Sequence, residues 1–458
     1  MIAPSKDLPV VVIGAGPVGM TAAAQLATRG LPFLVFEAGA GVGASVTDWA
    51  HVRLFSPWRF DTDPTARALL EPTGWVAPDP QRLPTGRELV TSYLAPLAAH
   101  PSIAPSLRFR VAVTAIARQG VDKVRTAGRE QAPFLVRLST GDDAAASAII
   151  DASGTWRSPN PLGGNGLIAH GETIARTTGR VFDGMPDVTG RLRGHFAGRM
   201  VAVVGAGHSA TGTLLALAEL AVAEPATQVH WVLRPANPSR AYGGGDADAL
   251  PARGAIGTRV RSLVETGGVT VHTGFFVDEV TDSGLVSTDG RTVPAQVIVS
   301  ATGARADHAP AAELRLDLDP ILGSTRALAP LIDPNKHSCG TVPPHGFEEL
   351  SHPEPGFFVV GAKSYGRAPT FLLATGYEQT RSVVAALSGD LDAARAVELD
   401  LPETGVCSSS VPLGEDAACC GTAPTGAKRG LATSVSGGLH SLELVSASAP
   451  NQGGSCCG

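Results

Sequence analysis

The stretch Val10-Val-Val-Ile-Gly14-Ala-Gly16-Pro-Val-Gly19 decides the fold. Four apolar, β-branched residues read as a buried strand. The glycines follow at once, and a helical segment, Met20 to Thr28, comes next. Gly14 permits a tight turn, Gly16 lets backbone approach a diphosphate, and Gly19 lets the helix pack on the strand. The helix start, with Pro17, then faces the phosphates with free N–H groups and the positive end of its dipole. Three spaced glycines alone are weak evidence, so the next strand matters. It runs from Pro32 to Phe36 and ends in Glu37. A carboxylate there accepts from ribose hydroxyls and repels a 2′-phosphate, which selects FAD or NAD over NADP.

A second unit repeats the pattern. Met200-Val-Ala-Val-Val-Gly205-Ala-Gly207-His-Ser-Ala210 is again strand, turn and helix, with Ala at the third small position. Its following strand, Val229 to Leu233, ends in Arg234 rather than an acid. A guanidinium suits the 2′-phosphate of NADP by charge and by bidentate geometry. Gly205, Gly207, His208, Ser209 and Arg234 are therefore the expected NADPH ligands, with Arg240 as a second candidate for the phosphate. Gly14, Gly16, Pro17, Gly19 and Glu37 are the expected FAD ligands.

Working outward, alternating apolar segments between 108 and 153 suit a meander returning to the first sheet. A returning pair at 269–280 and 296–300 does the same for the second. Residues 40–100 read as loop-rich. Gly356-Phe-Phe-Val-Val-Gly361 reads as a buried strand, followed by a helix near 371–388. The expected fold class is α/β: two Rossmann-like dinucleotide-binding domains, the NADPH domain inserted in the FAD domain, and a flexible Cys-containing C-terminal tail. The expected boundaries are 1–155 and 304–400 for FAD, 156–303 for NADPH, and 401–458 for the tail.

With these motifs the chain resembles the two-dinucleotide-binding-domain flavoproteins over about residues 1–390. Asp151-Ala-Ser-Gly-Thr155 and Ser300-Ala-Thr-Gly303 resemble that superfamily's crossings between nucleotide domains, which adds Gly154 to the FAD contacts. Phe358-Val-Val-Gly361 resembles the strand at the flavin's ribityl side, which adds Gly361. Gly376-Tyr-Glu-Gln-Thr-Arg381 would follow on the helix beneath the isoalloxazine. The resemblance implies NADPH-driven flavin reduction, then monooxygenation of a small sulfur- or arsenic-containing substrate with O2. A reductase of a metal ion or disulfide is the alternative. From Pro186-Asp-Val188 and Gly205-Ala-Gly-His-Ser-Ala210 through Ala374-Thr-Gly-Tyr-Glu-Gln379, the chain resembles flavin monooxygenase-like proteins of bacterial arsenic-resistance clusters.

Departures sharpen this. Residues 1–338 contain no cysteine, so a redox pair beside the flavin is not expected. The Baeyer–Villiger fingerprint is unmatched: no His follows Phe182-Asp-Gly184 in register, and His195 is displaced from it. Trp49, His51 and Arg53 are the candidate catalytic residues, in an aromatic and cationic cluster with Phe55, Trp58 and Arg59. Lys363 and Arg367 are candidates to balance charge on the reduced flavin.

Of six cysteines, Cys407, Cys419, Cys420, Cys456 and Cys457 lie in the Ser/Gly/Ala-rich tail. The pairs Cys419-Cys420 and Cys456-Cys457 suit a soft thiophilic ion such as As(III). A third function class, soft-metal sequestration, follows from them; a tail that folds back to relay electrons with the flavin and an idle tail remain open. His337, Cys339 and His345 sit in a Pro-rich loop and are a weak metal set. The net charge of −6 offers no basic field for nucleic acid. No uncharged apolar stretch is long enough to span a bilayer, and no secretory signal is visible, so the expected compartment is cytoplasmic. Assembly as a homodimer is left open.

Overall fold

The structure is a computed structural model that describes residues 8–245, 250–336, 342–369 and 371–399. Its strands, in chain order, are β1 (Val10–Ile13), β2 (Phe33–Glu37), β3 (Leu107–Phe109), β4 (Val113–Arg118), β5 (Phe134–Leu138), β6 (Asp143–Ala146), β7 (Ala148–Asp151) and β8 (Val181–Asp183). Then follow β9 (Met200–Val204), β10 (Gln228–Val232), β11 (Thr270–His272), β12 (Val277–Thr281), β13 (Gly284–Ser287), β14 (Thr292–Pro294), β15 (Val297–Ser300) and β16 (Phe357–Val359). Four longer helices are α1 (Pro17–Thr28), α2 (His208–Ala223), α3 (Pro251–Glu265) and α4 (Leu373–Leu387).

Two five-stranded parallel sheets result, in the orders β16-β7-β1-β2-β3 and β11-β10-β9-β15-β8. The second repeats the first. In each, the glycine-loop strand is central, flanked by the strand after its helix and by the strand that ends in a small-residue crossing. Each sheet also carries a three-stranded antiparallel meander, β4-β5-β6 or β12-β13-β14, just before the crossing strand. The strands of the second sheet all lie between β7 and β16 in sequence, so the second dinucleotide-binding domain is inserted in the first. The α/β class and the nested pair of Rossmann-like units are those expected from the two glycine loops.

Both sheets are buried on two faces, which is why their strands read as continuous apolar runs. Val10, Val12, Ile150 and Phe358 pack against α1 and α4. Val11, Ile13, Ile149 and Val359 pack on the other face, against the first meander. That meander is fastened to β16 by a buried carboxylate. Glu354 receives Arg118 Nε at 2.7 Å and Arg129 Nη2 at 2.6 Å. Burial alone would raise its pKa; the bonds from Arg129 and Arg118 outweigh that and hold it low.

Residues 40–100 are more helical than the loop-rich reading. Asp63 caps Pro64–Leu70 through the Ala66 N–H, and Thr85 and Glu88 form a reciprocal capping box that opens the helical run from Gly86. Thr85-x-x-Glu88 is a readable start signal, but the segment's frequent prolines obscured it. Helix α3 and strand β8 also lie in segments to which the sequence reading gave no element. Among the described residues, no helix is long and apolar enough to cross a membrane.

Candidate active site

The two glycine loops sit at the carboxyl ends of their central strands, the end where open α/β sheets bind ligands. Gly14 adopts φ 98°, and a Cβ there would lie 2.8 Å from the Ala152 carbonyl oxygen of the first crossing. Gly205 adopts φ 134°, and a Cβ there would lie 2.1 Å from the Ala301 carbonyl oxygen of the second. Side chains are excluded at both positions by conformation and by space. The middle glycines behave oppositely. A Cβ on Gly16 or on Gly207 would meet nothing within 4 Å. Each therefore borders open space above a helix N-terminus, as a cradle for a diphosphate requires. Gly16 and Gly207 are the N-cap residues of α1 and α2 and make no side-chain cap, so the first-turn N–H groups remain available for an anion.

The residues closing the second strands are placed differently. Glu37 is half-buried, and its carboxylate spans the loop: Ala15 N–H donates to Oε2 and Gly39 N–H to Oε1, each at 2.7 Å. It thus shapes the first loop from within, while each oxygen retains capacity for a ribose hydroxyl. Arg234 is exposed beyond β10, with Nη1 3.5 Å from the Gly164 carbonyl, too long for a firm bond. Its guanidinium stands at the strand end where a 2′-phosphate is expected. The second loop is braced instead by Trp231, fully buried, whose Nε1–H donates to the Gly205 carbonyl at 2.8 Å. Sequence inspection gave Trp231 no role; it reads as an ordinary apolar strand residue.

The third part of the site comes from the return strand. Gly361 adopts φ 72°, and a Cβ there would press on Val18 of α1 at 3.3 Å. Its N–H donates to Gln379 Oε1 at 2.7 Å, and Gln379 Nε2 donates to Ser364 Oγ at 2.9 Å. The wholly buried Gln379 so locks the turn after β16 onto α4. His345 Nε2 lies 2.9 Å from Gln379 Nε2, and burial lowers its pKa. That spends His345 on the core. Gly154, in the first crossing, adopts φ 72° and also borders open space.

The aromatic and cationic cluster does not converge on one point. Trp58 belongs to the core, 1% exposed. Trp49 packs against Gly86, where a Cβ would lie 2.7 Å from its ring. Arg53 donates to the Leu83 carbonyl at 2.8 Å, and Arg59 to Gln81 Oε1 at 2.9 Å. Two members do face the inserted domain. The Phe55 ring lies 5.0 Å from that of His208, the first residue of α2. His51 is exposed at the surface, but partial desolvation of its ring lowers its pKa, with the charges of Asp187 and Arg191 acting in opposite directions. Trp156, just past the first crossing, donates through Nε1 to Asp48 Oδ2 at 2.9 Å. Asp48, His51 and Phe55 thus form one wall between the domains.

Lys363 is buried and pairs with Asp151, while Arg367 is exposed. Phe182 and His195 stack edge to face at 5.4 Å. His337, Cys339, Cys407, Cys419, Cys420, Cys456 and Cys457 lie outside the described residues. Among the described residues, no group of three or more His, Cys, Asp or Glu side chains is arranged to hold a metal. A cavity of about 300 Å³ lined by Ser351, His352, Glu354 and Phe357 opens at the amino end of β16, away from the glycine loops.

Two nested Rossmann units, an acid-closed loop and an Arg-closed loop define a flavin- and pyridine-nucleotide-dependent oxidoreductase. The family of pyridine nucleotide-disulphide oxidoreductases matches residues 8–322, and the chain belongs to it. FAD and NADPH fit the first and second loops as cofactors. Among solved structures, the chain resembles bacillithiol disulfide reductase Bdr (YpdA) from Bacillus cereus, with 18% identity, TM-score 0.61, and coverage of 83% of this chain and 99% of that one. It also resembles a mutant flavin monooxygenase from Stenotrophomonas maltophilia, with 20% identity, TM-score 0.57, and coverage of 83% and 98%. A third likeness is DfoA, a cadaverine monooxygenase from Erwinia amylovora, with 12% identity, TM-score 0.58, and coverage of 88% and 99%. At these identities the likeness is one of fold. A comparison with curated proteins gives no match.

Proposed function

We propose that the protein is an FAD-dependent NADPH oxidoreductase that oxygenates a small soft nucleophile, a sulfur or arsenic compound, with a role in arsenic or metal resistance. The observation that carries the monooxygenase reading is the absence of cysteine from residues 1–338, which span both glycine loops and both crossings. The resemblance to the disulfide reductases implies a redox cysteine pair beside the flavin, and this stretch supplies none. FAD in the first loop would take hydride from NADPH and pass two electrons onward.

The side chains position and shield rather than react. Glu37 and the α1 N-terminus orient the first dinucleotide; Arg234 and the α2 N-terminus orient the second. Phe55 and His208 stand where the two approach. Overall, substrate, NADPH, H⁺ and O2 would give oxygenated substrate, NADP⁺ and water.

A second reading, an NADPH-dependent reductase, is favoured by the vicinal cysteines of the tail, which offer an acceptor or a soft-metal ligand set. A third, metal sequestration, rests on the same thiols. One experiment separates them: NADPH oxidation by the FAD-loaded protein in air, with and without arsenite or organic sulfur and arsenic compounds. Oxygenated product in proportion to NADPH supports monooxygenation. Hydrogen peroxide alone, whatever the substrate, contradicts it. Removal of residues 402–458 then asks whether arsenite affinity resides in the tail.

A further inference from the structure

Asp151 and Lys363 form a buried ion pair at the carboxyl ends of β7 and β16. Lys363 Nζ lies 2.7 Å from Asp151 Oδ2, and the two side chains are 5% and 4% exposed. Lys363 Nζ also donates to Ser153 Oγ at 3.1 Å. Ser153 in turn donates its backbone N–H and its hydroxyl to Asp151 Oδ1, at 3.1 and 2.6 Å. Both carboxylate oxygens are thereby engaged, and two of the three ammonium N–H groups.

A pair of this kind is a poor way to stabilise a sheet. Removing two charges from water costs about what their attraction returns, and apolar residues commonly do as well. The neighbours on this face are Ile13, Ile149 and Val359. The pair's position gives it another use. Ser153 is exposed, and its Cα would lie 3.1 Å from a Cβ on Gly14. The ammonium therefore sits one residue behind the first glycine loop, at the sheet end that receives the cofactor. His308 is a further titratable group that feels the charges of Lys363 and Asp151. Burial, then the charge of Lys363, lowers its pKa, and its Nδ1 is buried with no partner among the described residues.

We propose that Lys363 is an anchoring cation for the diphosphate of FAD, and that Asp151 is the counter-ion that neutralises it until the cofactor binds. This rests on FAD occupying the Gly14 loop. The test is FAD titration of the full-length apoprotein, with affinity and melting temperature read together. Lys363→Met is expected to weaken FAD binding by about tenfold or more, the loss of one charge-assisted bond. Lys363→Arg keeps the charge and should weaken FAD binding less than Lys363→Met. Asp151→Asn should bind FAD at least as tightly as the parent, because a negative charge near the diphosphate is gone.

A merely structural pair would behave otherwise: Lys363→Met and Asp151→Asn would weaken FAD alike, in step with melting temperature. That result, or parent-like affinity in Lys363→Met, overturns the proposal. If Lys363→Met does not fold, Lys363→Met with Asp151→Asn leaves no lone buried ion and serves instead. It should still bind FAD several-fold more weakly, and parent-like affinity again overturns the idea. Failure of the unaltered protein to bind FAD would refute the reading of the first loop, which is a separate outcome.

Discussion

At the first glycine loop, the Cβ that Gly19 lacks would lie 2.0 Å from the Gly14 carbonyl oxygen. At the second, the corresponding residue is Ala210, which carries a Cβ and is fully buried. Helix α1 therefore sits closer to its loop than α2 can. The closing residues differ in the same sense. Glu37 is bonded into the first loop at both oxygens, whereas Arg234 projects from the second into solvent. One loop is tight and internally braced, which suits a cofactor that stays. The other, though braced from its strand by Trp231, is looser against its helix and closed by an exposed arginine, which suits a nucleotide that comes and goes each turnover.

The sharpest way to break this contrast is to exchange the third small residue. Gly19→Ala should abolish FAD retention and lower stability by about 2 kcal/mol or more, since overpacked backbone cannot give way. Ala210→Gly should cost only about 0.5–1 kcal/mol, the ordinary helix penalty, and leave the NADPH KM within about threefold. Flavin content and steady-state kinetics measure both. Equal effects at the two loops would erase the distinction.

Glu37→Ala comes next. It strands two backbone donors, at about 1–3 kcal/mol each if they stay buried. FAD should be lost on gel filtration while the NADPH domain stays folded by limited proteolysis. Arg234→Glu should raise the NADPH KM about tenfold to a hundredfold and shift the NADH KM far less. A parent protein with equal preference for NADH and NADPH would contradict the role given to Arg234. Trp231→Phe removes the bond to the Gly205 carbonyl and should cost about 1 kcal/mol of stability, with a small rise in the NADPH KM.

The smallest effect concerns pH. Asp61 is 1% exposed, and burial pushes its pKa up to about 7 against a hydrogen bond from Ser56. Between its unfolded value and about 7, the folded state binds the extra proton. Stability therefore falls as pH rises through that window and levels off above it. Asp61→Asn should flatten the decline, gaining stability relative to the parent at pH 8 more than at pH 5. Thermal melts across the range decide it.

Much of this was legible in the sequence because it rests on local chemistry. Two strand–glycine–helix units, their closing residues and two small-residue crossings sit at fixed spacing, and they set out the nested sheets. What escaped notice depends on contacts far apart in sequence. Asp151 meets Lys363 across 212 positions, and Phe55 meets His208 across the insertion. Trp231 looked like any strand residue until its indole N–H was seen to hold the second loop. The cluster from Trp49 to Arg59 looked uniform by composition, yet its aromatic and cationic residues are divided among core, loop and interdomain wall. Composition cannot tell those apart without knowing which way each side chain faces.

The most direct test of two cofactors in two loops is anaerobic. The FAD-loaded protein is mixed with one equivalent of NADPH, and separately of NADH, and the flavin's visible absorbance is followed. Rapid bleaching by NADPH, much slower bleaching by NADH, and loss of that difference in Arg234→Glu are the expected results. A protein that holds no FAD, or whose flavin NADPH leaves oxidised, would contradict the assignment.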